Sequence, residues 1–117
     1  MNKLTVYAKK TCITCQKALA FLDEQKVAYD LKDIVSDPPP KAVLEAALDE
    51  KNIKAGLNSR SAIYKEKNLG AKIPSKAEAI KLMLQDPNLI KRPVIVKPGI
   101  KTPYLGFEPD TLKAFLK

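Results

Sequence analysis

Two cysteines, Cys12 and Cys15, are the residues of this chain best suited to chemistry, and they are its only cysteines. Residues 3–8 in front of them alternate polar and apolar side chains, which predicts a β-strand. Apolar residues behind them recur at helical spacing and predict a helix over residues 13–26. The pair therefore lies where a strand passes into a helix, with Cys12 at the helix N-terminus and Cys15 about one turn further.

This position predicts a reactive thiol at Cys12. The first N–H groups of a helix lack partners within it, and the aligned peptide dipoles leave partial positive charge there, so a thiolate is stabilised. Cysteines of such C-x-x-C motifs have pKa values of roughly 3.5–7.5, against about 8.5 for a free thiol. We predict that Cys12 is the nucleophile and that Cys15 resolves the mixed disulfide formed on it.

An inert pair of thiols and half of a zinc site are the other interpretations of the two cysteines. A structural zinc ion needs four ligands, and the chain contains no further cysteine and no histidine. We therefore predict no metal site, while an inert pair stays open. Because histidine is absent, the usual general base is missing too, and any chemistry must use thiols, carboxylates or the positive charge of lysine and arginine.

Length and composition limit the class of protein. A length of 117 residues predicts one domain, residues 1–117, with an ordinary hydrophobic core. No apolar run approaches the roughly 18 residues of a membrane span, and the N-terminus lacks the apolar region of a signal peptide, so we expect no membrane association. Two closely spaced cysteines form no disulfide framework, which favours a cytoplasmic location.

The net charge of +8 is distributed unevenly. Residues 1–58 carry a net charge of +1, whereas residues 59–117 carry +7. This favours an anionic partner such as a small oxyanion, a nucleic acid or an acidic protein surface. A solvated lysine face is the alternative. Because basic and aromatic residues do not interleave as they do in single-strand binding proteins, we expect no direct nucleic-acid binding.

The rest of the pattern predicts the other strands and helices. Strands are predicted at 28–33, at 94–96 in the middle of the sheet, and at 102–107 as an edge hairpin partner. Helices are predicted over about 38–51, over 75–86 and from residue 109 onward, and a short helix is predicted to end at residue 67. Ser36 or Asp37 is expected to cap the first of these helices, and Ser75 is expected to form a capping box with Glu78.

This order of elements, with a C-x-x-C at the first strand–helix junction, predicts an α/β thioredoxin-like fold. Its four strands form one mixed sheet, and a helical insertion, about residues 38–86, separates the βαβ half from the ββα half. In such folds the turn before the third strand carries a proline that faces the dithiol, often after a cis peptide bond. Arg92-Pro93 occupies that place in this chain.

Arg60 and Arg92 are the only arginines beside nineteen lysines. The planar guanidinium can hold an oxyanion with two parallel hydrogen bonds, which a lysine cannot do. Arg92 precedes the proline that should face Cys12, and Arg60 lies in the insertion, from which it could reach the same pocket. Both are therefore candidates for oxyanion binding, with two surface arginines as the alternative.

The sequence resembles the arsenate reductase/Spx family of thioredoxin-like proteins. The resemblance rests on segments that span nearly the whole chain, namely residues 6–7, 12–18, 58–60, 64–65, 87–96 and 105–107. It implies that Cys12 attacks arsenate, that Arg60 and Arg92 hold the oxyanion, and that glutathione with glutaredoxin supplies the electrons without a bound cofactor. The arsenate reductases also use a third arginine after the third strand, where this chain offers only Lys101.

Spx-type members of the family imply a different function. In them a C-x-x-C acts as a thiol–disulfide switch, and the protein binds the α subunit of RNA polymerase. The second cysteine of this chain favours the Spx-like branch or an intramolecular thiol reductase that glutaredoxin or thioredoxin regenerates. Three hypotheses stay open: a thiol–disulfide oxidoreductase, a redox-sensing regulator that binds RNA polymerase, and an adaptor that has lost its chemistry.

Overall fold

The computed structural model describes residues 3–117, in which strands and helices alternate in the predicted order. Strands are β1 Leu4–Ala8, β2 Tyr29–Asp33, β3 Val94–Val96 and β4 Tyr104–Leu105. Helices are α1 Ile13–Glu24, α2 Lys41–Ala47, α3 Ala62–Glu66, α4 Lys76–Gln85 and α5 Pro109–Leu116, with 3-10 turns at Ile53–Gly56 and Pro87–Leu89. None of the helices in these residues is long and apolar enough to cross a membrane.

The four strands form a single mixed sheet in the order β2-β1-β3-β4. β1 runs parallel to β2, and β3 runs antiparallel to both β1 and β4. In the register, Val6 lies opposite Leu31 on one side and Ile95 on the other. The predicted mixed sheet, the interior position of β3 and the helical insertion between the two halves are therefore confirmed.

Alternate side chains of β1 point to opposite faces of the sheet, and each face has its own core. Leu4, Val6 and Ala8 pack in one cluster together with residues of α1 and α5, including Cys15. Tyr7 packs in the other cluster, to which the helical insertion contributes most of the side chains. The sheet therefore lies between α1 and α5 on one face and the insertion on the other.

α1 ends at Glu24, two residues before the predicted end. Lys26 adopts a positive φ of 58°, its N–H donates to the Asp23 carbonyl, and the N–H of Val27 donates to the Leu22 carbonyl. These bonds form a Schellman motif, which satisfies the last carbonyls of the helix. A lysine at this left-handed position carries no sequence signal, because glycine is the usual residue there.

The first insertion helix differs from its prediction at both ends. α2 covers only Lys41–Ala47, and its N-cap is Pro40 rather than Ser36 or Asp37, so the predicted cap is wrong. The reason is the run of three prolines, because a residue that precedes proline is disfavoured in helical geometry. At the other end the backbone of Leu48 is extended, which stops the helix before residue 51.

β4 is also shorter than the predicted 102–107. Pro103 has no N–H to donate to the ladder, and Gly106 turns the chain with a φ of +85°. Only Tyr104 and Leu105 remain to pair with β3. The prediction that this strand lies at an edge of the sheet is confirmed.

The Ser75 cap of α4 forms, but the second bond of the predicted capping box, from the Ser75 N–H to the Glu78 carboxylate, is not among the hydrogen bonds of residues 3–117. The cap provides a test of the fold. The Ser75 hydroxyl accepts a hydrogen bond of 3.3 Å from the Glu78 N–H. We expect Ser75→Ala to lower the free energy of unfolding by about 0.5–2 kcal/mol, because one helix N–H then loses its protein partner. Urea denaturation measures this change, with the exposed Ser36→Ala as the matched control. Equal losses in both variants would contradict the cap.

Candidate active site

The loop between β1 and α1 places Cys12 at the start of the helix. Cys12 is the N-cap of α1, and its carbonyl accepts a 3.0 Å hydrogen bond from the Gln16 N–H. Its own N–H donates to the Lys9 carbonyl at 3.0 Å. The Gln16 side chain donates to the Lys10 carbonyl at 2.7 Å and joins the loop to the first turn of the helix. The predicted position of Cys12 is confirmed.

Cys15 lies one turn further, on the buried face of α1. Its side chain is 0 % exposed and packs in the core cluster that includes Leu22 and Leu112. Burial disfavours the charged thiolate, and a Cys12 thiolate nearby disfavours a second negative charge. Together these effects raise the pKa of Cys15 to about 11.

The pKa of Cys12 moves in the opposite direction. Partial burial of this half-exposed thiol opposes ionisation, but the N–H of Cys15 and the guanidinium of Arg92 favour the thiolate and outweigh it. The pKa of Cys12 is therefore lowered from its ordinary value. Both cysteines are free thiols in the structure. The two shifts support the prediction that Cys12 is the more acidic thiol.

The difference between the thiols predicts how fast each is alkylated as the pH changes. We expect the iodoacetamide rate of the Cys15→Ser variant to rise with a midpoint below about 8.5, the pKa of a free thiol. Only the thiolate reacts, and Arg92 and the Cys15 N–H stabilise the thiolate of Cys12. In Cys12→Ser the remaining thiol is buried and should react slowly, with a midpoint above that value. Equal midpoints near 8.5 in the two variants would contradict the assignment.

A cavity of about 550 Å³ opens beside Cys12, and we refer to it as the site cavity. Cys12, Arg60 and Arg92 all line it, although they come from three separate parts of the chain. Pro93 follows Arg92 through a cis peptide bond, but it is buried and does not line the cavity. The structure thus brings both arginines to the same cavity as the candidate nucleophile.

Arg92 has hydrogen-bonding capacity that the protein leaves unused. Its Nη1 donates to Asn88 Oδ1 at 3.4 Å, a long hydrogen bond. Its Nε is buried and has no partner among the residues that the structure describes. A buried N–H group without a partner is costly. Because Arg92 lines the site cavity and its Nη1 makes only this long bond, Arg92 is suited to donate hydrogen bonds to an anion there.

Asn58 joins the loops that carry the two arginines, and sequence reasoning did not identify this role. Its Oδ1 accepts the Arg60 N–H at 3.1 Å, and its Nδ2 donates to the Asn88 carbonyl at 3.0 Å. Its own N–H donates to the Leu89 carbonyl at 2.7 Å. The signal in the sequence is weak, because an asparagine near a turn usually bonds only to neighbouring residues.

Two lysines of the cavity were also missed, Lys54 and Lys91. Lys54 lies in the 3-10 turn of the insertion, and Lys91 directly precedes Arg92. Lys101 stands in the region where the arsenate reductases have their third arginine. It is exposed and does not line the cavity. Residues 3–117 contain no cluster of residues suited to hold a metal ion.

Comparison with known proteins places the chain in a family. A sequence profile describing the ArsC family matches residues 7–115. The chain belongs to the ArsC family. It is similar to the global transcriptional regulator Spx of Streptococcus pneumoniae strain R6, with 30 % identity over 115 residues that cover 97 % of this chain and 85 % of the relative.

Solved structures agree with this family assignment. An ArsC family related protein from Bacteroides fragilis has 29 % identity and a TM-score of 0.82, with 96 % of each chain covered. A possible arsenate reductase from Streptococcus mutans UA159 has 31 % identity and a TM-score of 0.80, covering 97 % of this chain and 99 % of that one. These similarities confirm the thioredoxin-like fold of an ArsC family member. The identities to the Spx and arsenate-reductase relatives are nearly equal, so they do not separate the two branches.

Proposed function

We propose that this protein is a thiol–disulfide oxidoreductase, with Cys12 as the nucleophile and Cys15 as the resolving thiol. The different surroundings of the two cysteines carry this proposal. Cys12 is the more acidic thiol and lines a cavity, whereas Cys15 is fully buried and has a pKa raised to about 11. A thiol that reacts first needs ionisation and access, whereas a resolving thiol needs only to reach its neighbour.

The proposed reaction moves two electrons from the dithiol to the substrate. With a disulfide substrate, the Cys12 thiolate attacks one sulfur, and the other sulfur leaves as a thiolate. Cys15 then loses its proton, attacks the Cys12 sulfur and releases the second substrate thiolate, which leaves a Cys12–Cys15 disulfide. Forming the mixed disulfide removes the negative charge of Cys12 that opposes ionisation of Cys15, which favours this second step.

Arsenate is the small oxyanion that we propose as a substrate of this site. The Cys12 sulfur would bond to arsenic as hydroxide leaves, while Arg60 and Arg92 hold the remaining oxygens. Attack by Cys15 on the Cys12 sulfur then breaks the sulfur–arsenic bond and leaves its electron pair on arsenic, which departs as arsenite. Reduction of the disulfide by glutathione with glutaredoxin, or by thioredoxin, completes the cycle without a bound cofactor.

Intact mass tests the paired dithiol directly. After mild peroxide treatment we expect the protein to lose the mass of two hydrogens, because Cys12 oxidises first and Cys15 attacks it. An anaerobic arsenate-reduction assay, with glutathione and glutaredoxin or separately with thioredoxin, then tests the substrate and the electron donor. Only overoxidised or intermolecular products after peroxide would contradict the oxidoreductase. Disulfide formation without arsenite production would contradict only the proposal that arsenate is a substrate.

A second candidate function is a redox-sensing regulator that binds the RNA polymerase α subunit. The observation that favours it is the 30 % identity to the transcriptional regulator Spx over 97 % of this chain. If the protein is such a regulator, we expect it to capture purified α subunit in a redox-dependent manner and to show no reductase turnover. A pull-down with reduced and with oxidised protein, beside the arsenate assay, therefore separates the two functions.

A further inference from the structure

The space around Cys12 is much larger than a small oxyanion requires. The site cavity of about 550 Å³ falls in the range of roughly 300–1,000 Å³ that holds drug-sized ligands. A second cavity of about 240 Å³ adjoins it and shares Asn58, Arg60 and Arg92 as lining residues. A tetrahedral oxyanion held between the arginines would leave most of this space unfilled.

The charge of the two cavities is strongly one-sided. Of residues 3–117, five cations line them, and we call these the cavity cations: Lys9, Lys54, Arg60, Lys91 and Arg92. The ion pairs within residues 3–117 involve none of these five, since they join Lys3 to Asp30, Lys32 to Asp37 and Lys41 to Glu45. Asp86 is the one carboxylate within the described part of the chain that lines either cavity, and it accepts the Asn88 N–H at 3.1 Å. The cavities are therefore suited to a ligand with several negative charges.

Apolar surface beside Cys12 favours a peptide over a purely ionic ligand. Ile13 directly follows Cys12, lines the site cavity and is 65 % exposed. Leu57 and Tyr64 line the same cavity. The exposed Ile13 can pack against an apolar side chain of a peptide, whereas single-stranded nucleic acids combine backbone contacts with stacking of their bases on aromatic rings. Among the residues that the structure describes, Tyr64 is the only aromatic one that lines either cavity.

We propose that the site cavity selects disulfides carried by acidic peptides, so that carboxylates beside the substrate cysteine contact the cavity cations. This inference rests on the proposed thiol–disulfide oxidoreductase and names its substrate class. The Cys12 thiolate attacks the sulfur of the peptide cysteine, and the other half of the disulfide leaves as a thiolate. Cys15 then releases the reduced peptide, and a dithiol such as dithiothreitol restores the protein.

The carboxylates act before and during the first attack. Attraction to a cleft of one charge sign raises association rates by roughly 10–10³-fold at low ionic strength. The guanidinium groups of Arg60 and Arg92 match the planar carboxylate and can bind it with two hydrogen bonds. Arg92 lines both cavities, and its Nη1 donates only a long hydrogen bond of 3.4 Å, to Asn88 Oδ1, so this group can turn to a carboxylate.

Three synthetic peptides of equal length test the proposal. Each carries one cysteine as a thiopyridyl disulfide, flanked by glutamates, glutamines or lysines. Stopped-flow absorbance of released pyridinethione reports the rate of the first attack by the reduced, full-length protein. We expect the glutamate peptide to react at least about tenfold faster than the lysine peptide at low salt. This ratio should shrink as salt is raised toward about 1 M, where the screening length falls to about 3 Å.

Charge-reversal variants locate the effect in the cavity. Lys54→Glu and Lys91→Glu should each reduce the glutamate-to-lysine rate ratio by at least about threefold. Lys113→Glu is the matched control, because it changes the net charge equally from an exposed position on α5 outside both cavities. We expect the control to leave the ratio within about twofold of the parent, since distant exposed charges are screened.

The possible results separate this proposal from the function on which it rests. Similar rates for all three peptides would overturn the acidic-substrate proposal while leaving the oxidoreductase intact. A ratio that Lys113→Glu reduces as much as Lys54→Glu does would also overturn it, because the net charge would then explain the preference. Stronger competition by a single-stranded oligonucleotide than by a cysteine-free glutamate peptide would point to nucleic acid instead. No release of pyridinethione from any peptide would overturn the oxidoreductase itself.

Discussion

Cys12→Ser is expected to reduce turnover of any disulfide or arsenate substrate by at least about 10³-fold, because it removes the nucleophile. No other thiol can replace it. Cys15 is the only other cysteine in the chain, and it is fully buried with a pKa raised to about 11. At neutral pH that thiol is almost entirely protonated, and protonated thiols are poor nucleophiles.

Cys15→Ser is the matched control for this variant. It keeps the Cys12 thiol and should therefore still form a mixed disulfide with one equivalent of substrate. It should not form the intramolecular disulfide, so it stops after the first step unless an external thiol resolves the intermediate. Single-turnover kinetics with mass spectrometry distinguish the two variants. Turnover by Cys12→Ser within about tenfold of the parent would show that the chemistry lies elsewhere.

Arg92→Lys is expected to weaken sulfate or arsenate binding at least about tenfold, although the positive charge is kept. Lysine lacks the planar fork that gives two parallel hydrogen bonds. A hydrogen bond to a charged group contributes roughly 1.5–3 kcal/mol, and about 1.4 kcal/mol corresponds to a factor of ten in affinity. The guanidinium also lowers the pKa of Cys12, so the substitution should raise the alkylation midpoint. Titration calorimetry and the pH dependence of alkylation measure the two effects.

The choice of control for Arg92→Lys depends on the structure. Lys97 is unsuitable, because its Nζ donates to the carbonyls of Phe115 and Lys117, each at 3.1 Å, at the end of α5. Lys113 is exposed and has no such bond among residues 3–117, so Lys113→Ala should change anion affinity only through weak, salt-screened attraction. Unchanged anion binding by Arg92→Lys would show that the site cavity is not an oxyanion site.

Features that depend on neighbours in the sequence could be predicted well. The strand before Cys12, the helix after it and the cap at Ser75 each follow from a few consecutive residues. The order of elements around the C-x-x-C then favoured one sheet, and β3 lies in its interior as predicted. The two errors at α2 arose where the local signals conflict. The apolar pattern predicts a longer helix, but the run of prolines delays its start and the extended backbone of Leu48 ends it early.

The residues that complete the site were harder to predict, because side chains distant in sequence meet there. Asn58 bonds to Asn88, 30 positions away, which no local pattern indicates. Lys54 and Lys91 are two among nineteen lysines, and like Lys101 they are exposed, so neither residue type nor exposure shows that only these two of the three line the site cavity. A charged side chain faces a cavity or solvent depending on how the insertion packs on the sheet.

The sequence by itself determined the order of the elements, the two thiols at the start of a helix, and the two arginines suited to an anion. Only the tertiary structure decided how the thiols differ. The core between the sheet and α5 buries Cys15 and raises its pKa, whereas Arg92 arrives from the turn before β3 and lowers that of Cys12. Burial and long-range charge set these pKa values, and both exist only after the chain has packed.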